Sequence, residues 1–192
     1  MKFLALDLET ANSDYSSICQ IGIAIFEDNK LINTWSTLVN PETHFEYINI
    51  SIHGIRESDV IDAPTLPEVY EQLKDLLQSN IVVHHMPFDR VALSRATDKY
   101  DLVNIDILSL DSAKVARRTW NEFSQRGYGL KNVADKLKIN FKHHDALEDA
   151  IAAGYIVVKA LEKLNIPVED LFSRVKQPIK KASASLTKLG GV

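Results

Sequence analysis

The sequence predicts an α/β sandwich built on a mixed sheet of five strands. Residues 3–8 form an apolar run interrupted only by Asp7, as expected for a strand that is buried on both faces. Residues 18–26 and 31–39 have strand composition and are separated by a short polar turn, which predicts an antiparallel hairpin beside the first strand. Beyond residue 65, helical and strand patterns alternate, which is typical of an α/β architecture.

The next elements follow from local signals. Residues 41–51 are predicted to be a loop. Thr65 and Glu68 have capping-box spacing around an early Pro67, so a helix should run from about 66 to 78. Its predicted apolar stripe consists of Leu66, Val69, Leu73, Leu76 and Leu77.

Two more strands and five more helices are expected in the remaining chain. The strands are residues 81–83 and 103–107, and Pro87 places Asp89 in the first helical turn after the former strand. The later helices are predicted at about 112–120, 130–137, 145–164 and 168–175. We divide the chain into a domain of residues 1–172 and a basic, flexible tail of residues 173–192.

Composition is that of one globular domain of 192 residues, 45% hydrophobic and 25% charged. Cys19 is the single cysteine, which excludes an intrachain disulfide and fits a reducing cytoplasm. The apolar run near Met1 is too short for a signal-peptide core or a membrane span. We therefore expect a cytoplasmic protein with no membrane association.

Charge is unevenly distributed along the chain. The net charge is −4, and five basic residues with no acidic one lie between residues 174 and 192, so residues 1–173 carry about −9. An acidic body argues against binding duplex nucleic acid by charge alone. It does not exclude nucleic acid, because bound metal ions and a local groove can dominate a site.

Asp7 and Glu9 are two positions apart in the first predicted strand. Side chains at i and i+2 of a strand point to the same face, where two carboxylates repel each other and are costly to bury unpaired. A divalent cation between them would remove both costs. The alternative is that both residues lie past the strand end and cap a loop.

A second cluster marks the start of the longest predicted helix. Asp145 and Glu148 have capping-box spacing, with Asp145 at the N-cap. His144 and Asp149 then occupy the two positions whose side chains meet in a hydrophobic staple. The spacing therefore predicts an imidazole beside a carboxylate, unless both are simply solvated.

Sites in open α/β sheets gather beyond the carboxyl ends of strands. Four carboxylates meeting there would suit Mg²⁺ or Mn²⁺. Two such ions about 3.5–4 Å apart can stabilise the attacking and leaving oxygens of a phosphoryl displacement. A histidine nearby can take a proton from the attacking water.

These motifs resemble the DnaQ-like, or DEDDh, family of 3′–5′ exonucleases, which includes the proofreading (epsilon) subunit of bacterial DNA polymerase III. The three family motifs, Asp-x-Glu-Thr, Phe-Asp and His-x-Ala-x-x-Asp-Ala, match residues 7–10, 88–89 and 144–150. The stretches at 52–55 and 62–65 also resemble the segment between the first two motifs. The resemblance covers residues 3–160 and implies a ribonuclease H-like fold with helices on both faces of the sheet.

The resemblance also implies residue roles. Four carboxylates would hold two Mg²⁺ or Mn²⁺ ions, with the first bridging both: Asp7, Glu9, Asp89 and Asp149. His144 would be the general base, and Thr10 and His53 would help to seat the terminal nucleotide. His85 departs from the family pattern, since many relatives have asparagine there.

The expected function is metal-dependent removal of nucleoside 5′-monophosphates from the 3′ end of single-stranded DNA, in proofreading or repair. RNA is the alternative substrate, which would make the protein an exoribonuclease or oligoribonuclease. The alternative class is a non-catalytic scaffold with a nuclease fold. The tail is a candidate contact for a polymerase or clamp. His84, His85 and three arginines (Arg117, Arg118, Arg126) could be ligands or phosphate contacts, but structural or solvated roles are the ordinary alternative.

Overall fold

The computed structural model describes residues 2–179. In this range five strands form one mixed sheet in the order β3-β2-β1-β4-β5. β1 pairs antiparallel with β2, and β2 with β3, whereas β4 is parallel to both β1 and β5. The predicted five-stranded mixed sheet is confirmed. Its strands are β1 (Lys2–Thr10), β2 (Ile18–Glu27), β3 (Lys30–Leu38), β4 (Ile81–His84) and β5 (Leu108–Asp111).

Eight α-helices and a short 3-10 helix (Asn121–Phe123) complete the described fold. The α-helices are α1 (Tyr47–His53), α2 (Glu57–Val60), α3 (Leu66–Leu77), α4 (Phe88–Lys99), α5 (Ser112–Thr119), α6 (Leu130–Leu137), α7 (Ala146–Leu164) and α8 (Val168–Lys176). None of them is long and apolar enough to cross a membrane.

Side chains of β1 alternate between two separate cores. Leu4, Leu6 and Leu8 pack with residues of α3 and α4 on one face. Phe3 and Ala5 pack with residues of α5, α6, α7 and α8 on the other face. Helices therefore cover both faces, and the alternation directs Asp7 and Glu9 toward the α7 side.

Local signals placed several elements correctly. Asp28 and Asn29 both have positive φ (49° and 61°), which is the geometry of a tight hairpin turn. At the start of α3, the Glu68 carboxylate accepts a hydrogen bond from the Thr65 N–H at 2.7 Å. The hairpin and this capping box are thus confirmed.

The loop predicted over residues 41–51 was wrong, because helix α1 begins at Tyr47. No residue of α1 is buried, so its apolar side chains form no core-facing stripe of the kind that signals a helix. Tyr47 and Ile48 are 83% and 68% exposed. Polar contacts to β1, described below, hold the helix instead.

The strand predicted at 103–107 was also wrong, since the fifth strand is Leu108–Asp111. β4 begins at Ile81, whose partner in the parallel register is Leu108. The preceding segment has no opposing strand and instead packs Ile105 and Ile107 against the core. Apolar and polar residues alternate along this segment as they do in a strand, but the segment pairs with no other strand of the described fold.

The predicted boundary at residue 172/173 falls inside α8, which continues to Lys176. Arg174, assigned to the tail, donates a hydrogen bond to the Arg118 carbonyl at 2.8 Å. The ordered domain therefore extends beyond residue 172. The rest of the predicted tail, from Lys180 onward, lies outside the described residues.

Candidate active site

Asp7 and Glu9 lie inside β1, which continues to Thr10, so they do not cap a loop. One carboxylate oxygen from each, together with one from Asp149, can be chosen so that all three lie within 4.8 Å of one another. The pair predicted from strand periodicity therefore meets a third carboxylate contributed by a distant helix.

Asp89 occupies the first turn of α4, directly after β4. It is only 2% exposed, and its Oδ1 accepts a hydrogen bond from the Leu8 N–H at 3.0 Å. It is not one of the three mutually close oxygens, but its charge contributes to raising the pKa of both Asp7 and Glu9. The fourth predicted carboxylate is thus beside the cluster and fixed to β1.

The N-terminus of α7 is held against the sheet. Asp145 is the N-cap, as predicted, and accepts hydrogen bonds from the N–H groups of Leu147 and Glu148. The reciprocal half of the predicted capping box, a hydrogen bond from the Asp145 N–H to the Glu148 carboxylate, is not formed. The Glu148 carboxylate instead accepts a hydrogen bond from the Lys142 N–H at 3.4 Å. Gln20 on β2 accepts a hydrogen bond from the Ala146 N–H at 3.1 Å.

Gly22 allows this close approach. A Cβ at this position would lie 2.3 Å from the carbonyl carbon of Ala146 and from the Leu147 nitrogen. Gly22 pairs directly with Asp7 in the antiparallel register. The absent side chain therefore lets the helix that carries Asp149 descend beside Asp7. A glycine inside a strand is a known signal of close backbone approach, and the sequence reasoning did not use it.

The imidazole predicted beside Asp149 is present, and a second one, that of His143, lies closer to the carboxylate. His143 Nδ1 lies 2.9 Å from Asp149 Oδ1, whereas His144 reaches the carboxylate through its backbone N–H, at 3.2 Å from Oδ2. His144 has a left-handed backbone with φ 66°, which the staple geometry did not anticipate. Its ring stacks on that of His143 with centroids 3.8 Å apart. One ring nitrogen of His143, one of His144 and one carboxylate oxygen of Asp149 all lie within 4.8 Å of one another.

Burial and mutual repulsion perturb the acidic groups. Burial, followed by the charges of Asp89 and Asp149, raises the pKa of Asp7 well above its usual range. Burial and the same two carboxylates raise the pKa of Glu9 to about 8. Burial raises the pKa of Asp89 to about 8, although the hydrogen bond from Leu8 opposes the shift.

These oxygens fit a divalent cation. Burial raises the pKa of Asp149 as well, against the lowering influence of His143. Hard carboxylate oxygens are the donors that Mg²⁺ and Mn²⁺ prefer, and a cation would offset the repulsion that raises these pKa values. The site can thus concentrate positive charge at a point where a phosphate could bind.

Thr10 and His53 belong to the contact between β1 and α1. The Thr10 carbonyl accepts a hydrogen bond from Asn49 Nδ2 at 2.9 Å and lies 3.2 Å from His53 Nε2. His53 Nδ1 accepts from the Ile55 N–H at 3.0 Å, which assigns the ring proton to Nε2. Burial lowers the pKa of His53, and the His144 charge contributes in the same direction. The sequence reasoning missed Asn49, whose polar character gave no distinct signal.

His84 and His85 bridge structural elements. His84 Nε2 lies 2.7 Å from Ser109 Oγ. His85 Nδ1 lies 2.8 Å from Ser112 Oγ, and its Nε2 lies 2.9 Å from the Tyr128 carbonyl. Burial lowers the pKa of His85 to about 4. At the position where many relatives have asparagine, a neutral histidine thus connects the end of β4 with α5 and the loop before α6.

Comparisons with known proteins show the family to which the chain belongs. The sequence matches the Exonuclease family (RNase_T) over residues 4–157. It is 28% identical over 166 residues to a PolC-type DNA polymerase III from Caldanaerobacter subterraneus, covering 85% of this chain but 12% of that protein. It is 26% identical over 165 residues to the 3′-5′ exonuclease DinG from Staphylococcus epidermidis, covering 84% of this chain and 18% of that protein. The chain therefore spans less than a fifth of either relative.

Solved structures share the fold. Exonuclease X in complex with 5′ overhanging duplex DNA superposes with a TM-score of 0.73 at 22% identity, covering 90% of this chain and 99% of that one. The nuclease domain of 3′hExo, a DEDDh family member bound to rAMP, superposes with a TM-score of 0.69 at 18% identity, covering 84% and 92%.

The five-stranded mixed sheet with helices on both faces is the ribonuclease H-like fold that these solved exonucleases share. The chain belongs to the exonuclease family.

Proposed function

We propose that the protein is a divalent-metal-dependent 3′–5′ exonuclease that releases nucleoside 5′-monophosphates from single-stranded DNA. The observation that carries this proposal is the meeting of Asp7, Glu9 and Asp149 oxygens within 4.8 Å, with Asp89 beside them. Elements from three separated parts of the chain converge there, and each carboxylate has a raised pKa.

In this proposal Asp7, Glu9, Asp89 and Asp149 would hold two Mg²⁺ or Mn²⁺ ions, with Asp7 bridging both. The ions would supply charge stabilisation for the pentavalent phosphate and its leaving oxygen. His144 would accept a proton from the attacking water while the bond between phosphorus and the 3′ oxygen breaks. Burial lowers the pKa of His144, which keeps its imidazole neutral and able to accept that proton at pH 7.

Thr10 and His53 would seat the terminal nucleotide indirectly. His53 is the last residue of α1 and contacts the Thr10 carbonyl, as does Asn49 of the same helix, so these contacts would fix α1 beside the carboxylates. The exposed apolar side chains of Tyr47, Ile48 and Ile52 on α1 could then contact the terminal base.

RNA is the second candidate substrate. Among the structural neighbours, one is described in complex with DNA and one with rAMP bound, so the shared fold accepts both sugar types. The PolC-type relatives support a proofreading role beside a polymerase, and the tail from Lys180 remains a candidate contact for a polymerase or clamp. The buried, single Cys19 supports a cytoplasmic location.

The decisive experiment is digestion of 5′-labelled single-stranded DNA, mismatched duplex DNA and short RNA with Mg²⁺, Mn²⁺ or EDTA. A ladder that shortens from the 3′ end, and disappears with EDTA, is expected. Relative rates then identify the substrate. No cleavage under any condition would refute the proposal and favour the scaffold alternative.

The roles of the two adjacent histidines can be separated by parallel variants. His144→Ala should reduce turnover by at least ~10²-fold, as expected for loss of a general base. His143→Ala should reduce it less, because His143 contacts the Asp149 carboxylate and would not touch the attacking water. The reverse order of effects would transfer the base role to His143.

A further inference from the structure

A polar cavity lies between α5, the 3-10 helix and the end of α8. It measures about 230 Å³. Its lining contains three arginines and no acidic residue: Arg117, Arg118, Thr119, Asn121, Ser124, Arg174, Gln177 and Pro178. We call it the arginine cavity.

The arginines bind backbone carbonyls, not carboxylates. Arg117 Nε donates to the Ser124 carbonyl at 3.1 Å, and Arg118 Nε to the Gln177 carbonyl at 2.9 Å. The ion pairs found within residues 2–179 include none of the three guanidinium groups. Three positive charges are thus held together on a protein body of net negative charge.

The Arg174 side chain has one buried nitrogen that lacks a hydrogen-bond acceptor. Its Nη2 donates to the Arg118 carbonyl at 2.8 Å, but its Nε is buried with no hydrogen-bond partner. A buried charged donor without an acceptor is costly. Burial and the neighbouring Arg117 also lower the pKa of Arg118. An anion in the cavity would supply both the acceptor and the opposing charge.

Helix α5 connects the cavity with the edge of the sheet where β4 and β5 end. The helix begins at that edge, where its N-cap Asp111 also accepts a hydrogen bond from the Met86 N–H at 3.3 Å, and its last turn lines the cavity. Arg117 is in the second turn of α5, so it lies roughly 9 Å along the helix axis from that edge. The Arg117 guanidinium also stacks 4.4 Å from the centre of the Tyr128 ring, whose carbonyl contacts His85.

We propose that the arginine cavity binds a backbone phosphate of the substrate strand, a few nucleotides from the end held by the carboxylates. The proposal rests on the nuclease function proposed above. Guanidinium groups match phosphate oxygens in a planar, bidentate geometry. Grooves that bind single strands combine positively charged side chains with aromatic rings, and Arg117 and Tyr128 supply one of each in contact. The cavity would therefore give affinity that depends on strand length without reading sequence.

The test compares oligonucleotides of different lengths. Binding of dT3, dT8 and U8 is measured with Ca²⁺ in place of Mg²⁺, for the wild-type chain, Arg117→Gln and Arg174→Gln. We expect about tenfold weaker binding of dT8 by each variant, less than twofold change for dT3, and a salt slope less negative by about 0.7 for a lost phosphate contact. An equal loss for U8 would identify the phosphate as the shared determinant.

Three controls make the result specific. Lys136→Gln removes an exposed charge elsewhere on the surface and should leave dT8 binding unchanged. Arg174→Lys keeps the charge but removes Nε, and is used if Arg174→Gln does not fold. Hydrolysis of the p-nitrophenyl ester of thymidine 5′-monophosphate, which is too small to reach the cavity, should be the same for wild type and variants.

Several outcomes would overturn the inference. They are unchanged dT8 affinity, an equal loss for dT3, an equal loss in Lys136→Gln, or a poly-glutamate peptide that displaces dT8 from the arginines. If wild type binds dT8 through the arginines but hydrolyses neither DNA nor the ester, the nuclease proposal fails and the phosphate site stands.

Discussion

The close contact between Gly22 and α7 predicts a sharp effect of one added methyl group. In Gly22→Ala the new Cβ would lie 2.3 Å from backbone atoms of Ala146 and Leu147, whereas ordinary contact begins at 3.4 Å. Because the obstacle is backbone, α7 must retreat by about 1 Å. Asp149 sits in the first turn of that helix and would move away from Asp7 and Glu9.

Two magnitudes follow from this displacement. Overpacking of this kind costs about 1–3 kcal/mol of stability. A misplacement near 1 Å within a catalytic group can cost about 10² in rate. We therefore expect Gly22→Ala to remain folded at 20 °C, to bind Mn²⁺ more weakly and to lose about 100-fold in turnover.

The assay is turnover on 5′-labelled single-stranded DNA, with Mn²⁺ affinity by calorimetry and stability by thermal unfolding. Gly129→Ala is the matched control, because its Cβ would have nothing within 4 Å. Gly154→Ala crowds the Phe26 ring at 2.1 Å, farther along α7, so it tests loss of stability without direct displacement of Asp149. Wild-type turnover and Mn²⁺ affinity in Gly22→Ala would refute the reasoning.

Three further predictions concern the site residues. Asp7→Asn should abolish nuclease activity and weaken Mn²⁺ binding at least tenfold, since it removes the charge that both proposed ions need; unchanged affinity in calorimetry would contradict the bridging role. For His144→Ala, Mn²⁺ affinity and unfolding temperature should stay near wild type although turnover falls, and a large loss of metal affinity would indicate a ligand instead of a base. Glu9 has a folded pKa of about 8 against an ordinary 4.5, so its contribution to stability is complete below pH 4.5 and is lost as pH rises toward 8. Without metal, thermal unfolding should therefore occur at a lower temperature at pH 8.5 than at pH 6. Glu9→Gln should reduce that difference by roughly 5–10 °C, because about two units of the pKa difference titrate between these two pH values; an identical pH dependence in the variant would exclude Glu9 as the source.

Sequence reasoning succeeded where one local signal determines the structure. The two-residue period of a strand placed Asp7 and Glu9 on one face of β1, and the capping-box spacing placed Asp145 at the start of α7. Both signals depend on a few neighbouring residues, so they can be recognised in the sequence without knowledge of the fold.

Sequence reasoning failed where contacts between distant parts of the chain determine the structure. Helix α1 is stabilised by Asn49 and His53 bonding to Thr10, which leaves no periodic pattern in the sequence. His144 has a left-handed backbone, and the neighbouring His143 ring contacts Asp149. The conformational preferences of the residues around His144 do not predict this backbone geometry. The exact β5 register likewise depends on where β4 begins.

The order of these elements along the chain has a consequence for synthesis. A chain emerging from the ribosome folds from its N-terminus, and it would present Asp7 and Glu9 long before α7 is made. Asp149 completes the oxygen cluster only when that helix docks on Gly22 and Gln20. Nascent chains and fragments that lack α7 should therefore be inert toward nucleic acid, so the proposed nuclease site would be assembled only when the fold is complete.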